Sequence, residues 1–97
     1  TNDRLYTKMD VEAFVRKELI AIYGKEEFKR INVNVHVEGA AENESVQRGL
    51  YVDIEFKDKK NYEKALDAHL DMKIQRQIID NSCISMPILT ILVNLDK

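Results

Sequence analysis

Two stretches alternate apolar and polar side chains without a break: Ile31-Asn32-Val33-Asn34-Val35-His36-Val37 and Leu50-Tyr51-Val52-Asp53-Ile54-Glu55-Phe56. Successive strand residues point to opposite sides, so each stretch is a strand with one apolar and one polar face. Set antiparallel with Val37 opposite Leu50, they match every apolar residue: 37 with 50, 35 with 52, 33 with 54, 31 with 56. The polar face then opposes His36 to Tyr51, Asn34 to Asp53 and Asn32 to Glu55. A slip of one residue would turn every apolar side chain to water, which fixes this register strongly. The rest of the chain must cover the apolar face or extend the sheet.

The flanks supply that cover. Residues 1–8 are polar and aperiodic and read as a flexible tail, leaving residues 9–97 as a single domain. Val11, Phe14, Val15, Leu19, Ile22 and Tyr23 recur at helical spacing, with Asp10 as N-cap, Gly24 as terminator and a Glu12–Arg16 pair on the outer side. A short turn over 25–30 would fold Phe28 onto the core. Residues 38–49 make a long connection between the two strands and a candidate functional loop. A charged helix follows from its cap Asp58, with Tyr62, Ala65, Leu66 and His69 inward.

Residues 73–79 fit either a strand, alternating about Ile74 and Ile78, or a continuation of that helix to Ile79. The run of Lys, Gln and Arg favours the helix. Such a helix would be apolar around most of its circumference, as suits one gripped on two sides. Residues 84–95 form the most apolar segment. Leu89, Ile91, Val93 and Leu95 share one face; Ile84, Met86, Ile88 and Leu92 share the other. A strand apolar on both faces calls for cover on both, and Pro87 marks an edge, bulge or break. The expected architecture is α+β: a two-layer sandwich with two helices on one face of an antiparallel sheet. The order is α-β-β-α-β, with a fourth strand if 73–79 pairs with the last.

Composition limits the function. The chain has 97 residues, 44% of them hydrophobic and 33% charged, with a net charge of −2. The charges are interleaved and make no basic stripe, which argues against nucleic acid as partner. The single cysteine, Cys83, allows no internal disulfide and reads as a small core residue. No signal-like start and no apolar run near twenty residues occur, so a cytoplasmic protein without a membrane partner is expected. No phosphate loop, zinc spacing, nucleophile elbow or dinucleotide fingerprint is present, and no cofactor is expected.

The polar residues of the hairpin, His36, Tyr51, Asp53 and Glu55, are the one convergence of functional groups. Asp53-Ile54-Glu55-Phe56-Lys57 resembles the catalytic half of the PD-(D/E)xK nuclease core. That resemblance implies Mg²⁺ held by Asp53 and Glu55, with Lys57 supporting the attacking water. The chain departs from the family's pattern by lacking its Pro-Asp motif and one core strand. An acidic inhibitor or adaptor using the 38–49 loop, Asp53 and Glu55 against a basic partner is another reading. The doubly apolar last strand supports a third, a non-enzymatic interaction or assembly domain that binds itself or another protein. In this reading Ile84, Met86, Ile88 and Leu92 form the contact.

Overall fold

The computed structural model describes residues 8–38, 49–82 and 87–96. The 38–49 connection lies almost wholly outside the described residues, as do Cys83, Ile84 and Met86.

The hairpin forms in the expected register. β1 (Ile31–Glu38) and β2 (Gly49–Phe56) pair antiparallel, with Val37 opposite Leu50, Val35 opposite Val52, Val33 opposite Ile54 and Ile31 opposite Phe56. Apart from Val37 at the open end of β1, these apolar residues are buried in one cluster with residues of the helices.

α1 (Lys8–Tyr23) covers the β1 side. It begins ahead of the expected Asp10 cap, which lies inside its first turn. Val11, Val15 and Leu19, four residues apart, are fully buried, and Phe14 and Tyr23 pack beside them, whereas Ile22 is exposed. Glu12 and Arg16 form the outer ion pair at 2.7 Å. The helix stops at Gly24, whose N–H donates to the Ile20 carbonyl at 2.8 Å and whose φ is +90°. A Cβ there would meet nothing within 4 Å, so the demand for glycine comes from the backbone angle, not from space. α2 (Lys25–Phe28) then lays Phe28 against the core.

The expected single helix from Asp58 to Ile79 is two. Asp58 caps α3 (Lys59–Asp67), its Oδ1 accepting from Lys60 N at 2.9 Å. The chain then breaks at His69, which takes left-handed angles (φ 53°, ψ 45°), and restarts as α4 (Leu70–Asp80). The reason is one of phase. The buried positions of α3 are Asn61 and Ala65, and those of α4 are Leu70, Ile74 and Ile78. The step from 65 to 70 is five residues, longer than one helical turn, so an unbroken helix could not present both sets to one sheet. The break costs about 1–2 kcal/mol for a non-glycine residue in the left-handed region, and burying the three apolar residues of α4 offsets it. Leu66 and His69, expected inward, are exposed. Residues 73–79 are helical and make no fourth strand.

The sheet is mixed, not antiparallel. β3 (Ile88–Asn94) runs parallel to β2 and gives the order β1-β2-β3. Two helices between β2 and β3 carry the chain back to the starting end of β2, and a strand reached by such a crossover enters parallel. At that entry Leu50 N donates to the Pro87 carbonyl at 2.8 Å; at the far end Leu95 N donates to the Phe56 carbonyl at 2.8 Å.

This register also decides the faces of β3. Ile88 lies beside Leu50 and Leu92 beside Ile54, both core residues, so Ile88 and Leu92 turn toward the helices. Ile88 is 7% exposed and Leu92 packs against the core; Leu89 and Ile91, on the other face, are 46% and 38% exposed. Of the expected contact residues, Ile88 and Leu92 therefore lie on the covered face, and Ile84 and Met86 lie outside the described residues. The row turned inward includes Thr90, whose Oγ1 is buried without a hydrogen-bond partner among the described residues, while its N–H donates to Gln75 Oε1 of α4 at 2.9 Å.

Ile88→Asp is expected to unfold the domain. It places a carboxylate in the core at a cost of about 4 kcal/mol or more, a large share of an ordinary domain's stability. Leu89→Asp, one residue on, should shift stability by only about 0.5 kcal/mol. Urea melts of the two variants check this. Tyr23 offers a second test: burial raises its phenol pKa above the ordinary value of 10.0, and its OH donates to the Asn61 carbonyl at 3.2 Å. The unfolded chain loses this proton first, so the Tyr23 contribution is intact below about pH 10 and declines as pH rises through the higher folded value. Tyr23→Phe should flatten that part of the alkaline fall in thermal stability.

Candidate interaction face

The helices all pack on one side of the sheet, and no described element covers the other. Strand register arranges this open face in three rows: His36–Tyr51–Leu89, Asn34–Asp53–Ile91 and Asn32–Glu55–Val93. Its β1 and β2 columns are polar or amphipathic and its β3 column is wholly apolar.

The polar columns are tied together. His36 Nε2 lies 2.9 Å from Asp53 Oδ2, a diagonal contact across the hairpin. An ionised carboxylate only accepts, so Nε2 carries the hydrogen. The His36 ring also stacks on Tyr51, with centroids 5.7 Å apart and planes 17° from parallel. Asn32 Nδ2 donates to Glu55 Oε1 at 2.7 Å. All four polar residues singled out in the sequence thus share one face: His36 contacts Asp53 and Tyr51, and Glu55 is held by Asn32.

This arrangement bears on the nuclease resemblance. Asp53 and Glu55 share a face, and Lys57 follows them as an exposed residue beyond the end of β2. Each acid is engaged by a different β1 side chain, His36 or Asn32. Among the described residues no group of three or more His, Cys, Asp or Glu side chains is placed to hold a metal ion. His69, exposed at the helix break, is remote in role from His36: one bends the chain and the other braces the sheet.

The helix layer carries features that the sequence reading did not single out. Between α2 and α3 a depression of about 840 Å³ is lined by Glu27, Arg30, Asp58, Asn61 and Lys64 among others. Its groups pair internally: Arg30 with Asp58 at 3.3 Å, Asn61 Nδ2 with Glu27 Oε1 at 2.9 Å, and Lys64 Nζ 5.2 Å from the Tyr23 ring centre. A second, shallow depression lies on the outer side of α4, where Met72 and Ile79 are 68% and 51% exposed and Lys73 and Arg76 stand beside them. The signal was the apolar girdle of 70–79: Leu70, Ile74 and Ile78 fill the core, leaving Met72 and Ile79 on the opposite side of the helix.

No helix among the described residues is long and apolar enough to cross a membrane. Comparison with known protein families, curated sequences and solved structures gives no significant match.

The His36–Asp53 contact is testable as a structural brace. His36→Phe keeps a ring on Tyr51 while removing the nitrogen donor, and Asp53→Ala removes the acceptor. A double-mutant cycle should return a coupling of about 0.5–1 kcal/mol, the range for a partly exposed hydrogen-bonded pair.

Proposed function

We propose that this chain is a non-enzymatic interaction domain that self-associates through the open face of its sheet. The observation that carries this reading is the apolar column of β3 left open by the described elements, where Leu89 and Ile91 stand in water beside part-buried Val93. Scattered surface leucines need no explanation, but a contiguous apolar column on an otherwise uncovered sheet face marks a contact surface. The polar columns beside it fit the rim of such a contact, where Asn32 is hydrogen-bonded to Glu55 and His36 to Asp53 within the domain.

The contact residues are accordingly Leu89, Ile91 and Val93, with Tyr51 alongside. A second copy is the occupant that asks least of other molecules, since homo-oligomers are the commonest assemblies of soluble proteins. The small size of the surface suits a reversible association more than a permanent one.

Light scattering or sedimentation across about 1–500 μM is expected to show a mass that rises above the monomer with concentration, as a weak interface of this size requires. Leu89→Asp combined with Ile91→Asp should hold the protein at the monomer mass with its circular dichroism unchanged. A wild-type protein that stays monomeric over the whole range would rule the reading out.

A further inference from the structure

Among the described residues, two elements are apolar on two sides and covered on one. β3 buries Ile88 and Leu92 and leaves Leu89 and Ile91 open; α4 buries Leu70, Ile74 and Ile78 and leaves Met72 and Ile79 open. In a two-layer domain these open surfaces lie on opposite sides, one beneath the sheet and one on top of the helix layer. They also differ in charge. The strands contain no Lys or Arg, and the open sheet face carries Asp53 and Glu55. The outer side of α4 carries Lys73 and Arg76; the helix also holds Asp71 in its first turn and Asp80 at its end, and Lys57 follows the end of β2.

We propose that the two surfaces are partners: the outer stripe of α4 in one copy docks on the open sheet face of the next. This rests on the self-association proposed above and names the other half of the contact. The dimensions agree. α4, of eleven residues, is about 16 Å long, and its anchors Met72 and Ile79 are about 10 Å apart along the axis. The column from Leu89 to Val93 spans about 13 Å. Met72 and Ile79 meet that column, and Arg76 and Lys73 reach the carboxylates of Asp53 and Glu55, whose β1 partners leave further acceptor sites on each.

A symmetric contact of sheet face on sheet face serves less well. With the sheets fully overlapped it brings the acids of both copies together, and offset enough to separate them it buries little beyond β3. It also leaves the α4 stripe in water. The head-to-tail contact covers both apolar surfaces and opposes unlike charges. Each copy then offers one surface of each kind, so the assembly continues from copy to copy and closes into a ring only if the rotation per step allows.

The test uses two variants of the full chain: a sheet variant, Leu89→Asp with Ile91→Asp, and a helix variant, Met72→Asp with Ile79→Asp. Each alone is expected to sediment as a monomer. An equimolar mixture should give a species of twice the monomer mass and no larger, since one intact sheet face and one intact helix stripe remain to meet. If either aspartate pair disturbs folding by circular dichroism, the corresponding glutamine pair replaces it. A helix variant that assembles like wild type would overturn the head-to-tail contact while leaving self-association through the sheet standing. Two monomeric variants that fail to combine would overturn it as well, and a monomeric wild type would remove both readings.

Discussion

The structure depends on the apolar pairing across the β1–β2 hairpin. Val35 against Val52, Val33 against Ile54 and Ile31 against Phe56 make one continuous apolar floor, and each helix is placed by how it meets that floor. α1 lies along the β1 side with Val11, Val15 and Leu19. α3 and α4 reach the β2 and β3 side with Ala65, Leu70, Ile74 and Ile78. Phe56, wholly buried at the end of β2, joins the two halves through edge contacts with Tyr23 and Tyr62, each with ring centres 6.1 Å away. Burying a side chain of this size contributes roughly 1.5–3 kcal/mol. A shift of the hairpin by one residue would therefore remove the surface on which every helix is seated.

That hairpin was legible in the sequence because strict alternation fixes the buried face and matching four apolar residues on each strand picks out the pairing. α1 was legible for the same kind of reason, an apolar stripe of period four closed by Gly24. The break at His69 was not, since neither glycine nor proline marks it and the local composition favours helix throughout. Its trace is the change of stripe from 61 and 65 to 70, 74 and 78, visible only once the helices are known to share one sheet. The direction of β3 was hidden because nothing in 58–79 declares that two helices cross back over the sheet. Its faces were hidden because both are apolar. The row containing Thr90 went inside and the uniformly apolar row Leu89, Ile91, Val93 stayed out, against the usual inference from pattern. Of the candidate site, the polar cluster of His36, Tyr51, Asp53 and Glu55 was legible as soon as the register was, and the apolar column beside it was not.

The two readings of the sequence that call for extra cover, a strand apolar on both faces and a helix gripped on two sides, describe segments that the structure covers on one side only. A small domain has limited interior, and an element that is apolar all round in such a domain either gains a neighbour or leaves apolar surface in water. The uncovered sides of β3 and α4 are also the regions where this chain carries its exposed aliphatic side chains in pairs. On the proposed reading, fold and association are one problem: among the described residues, β3 and α4 carry apolar surface that a single copy leaves exposed.

The hydrogen bond from Thr90 N–H to the Gln75 side chain bears on what kind of assembly can follow. Leu95 N and the Pro87 carbonyl point toward β2, so the amides at even positions of β3, Thr90 among them, point out of the sheet edge. Such an edge is a template on which another strand can add, and growth by that route leads to aggregates held by main-chain ladders. With the Thr90 amide taken by Gln75 of α4, a new strand meets an occupied donor where its ladder would run. At the β3 edge, the proposed self-association is thereby steered toward side-chain contacts, which salt and dilution can undo.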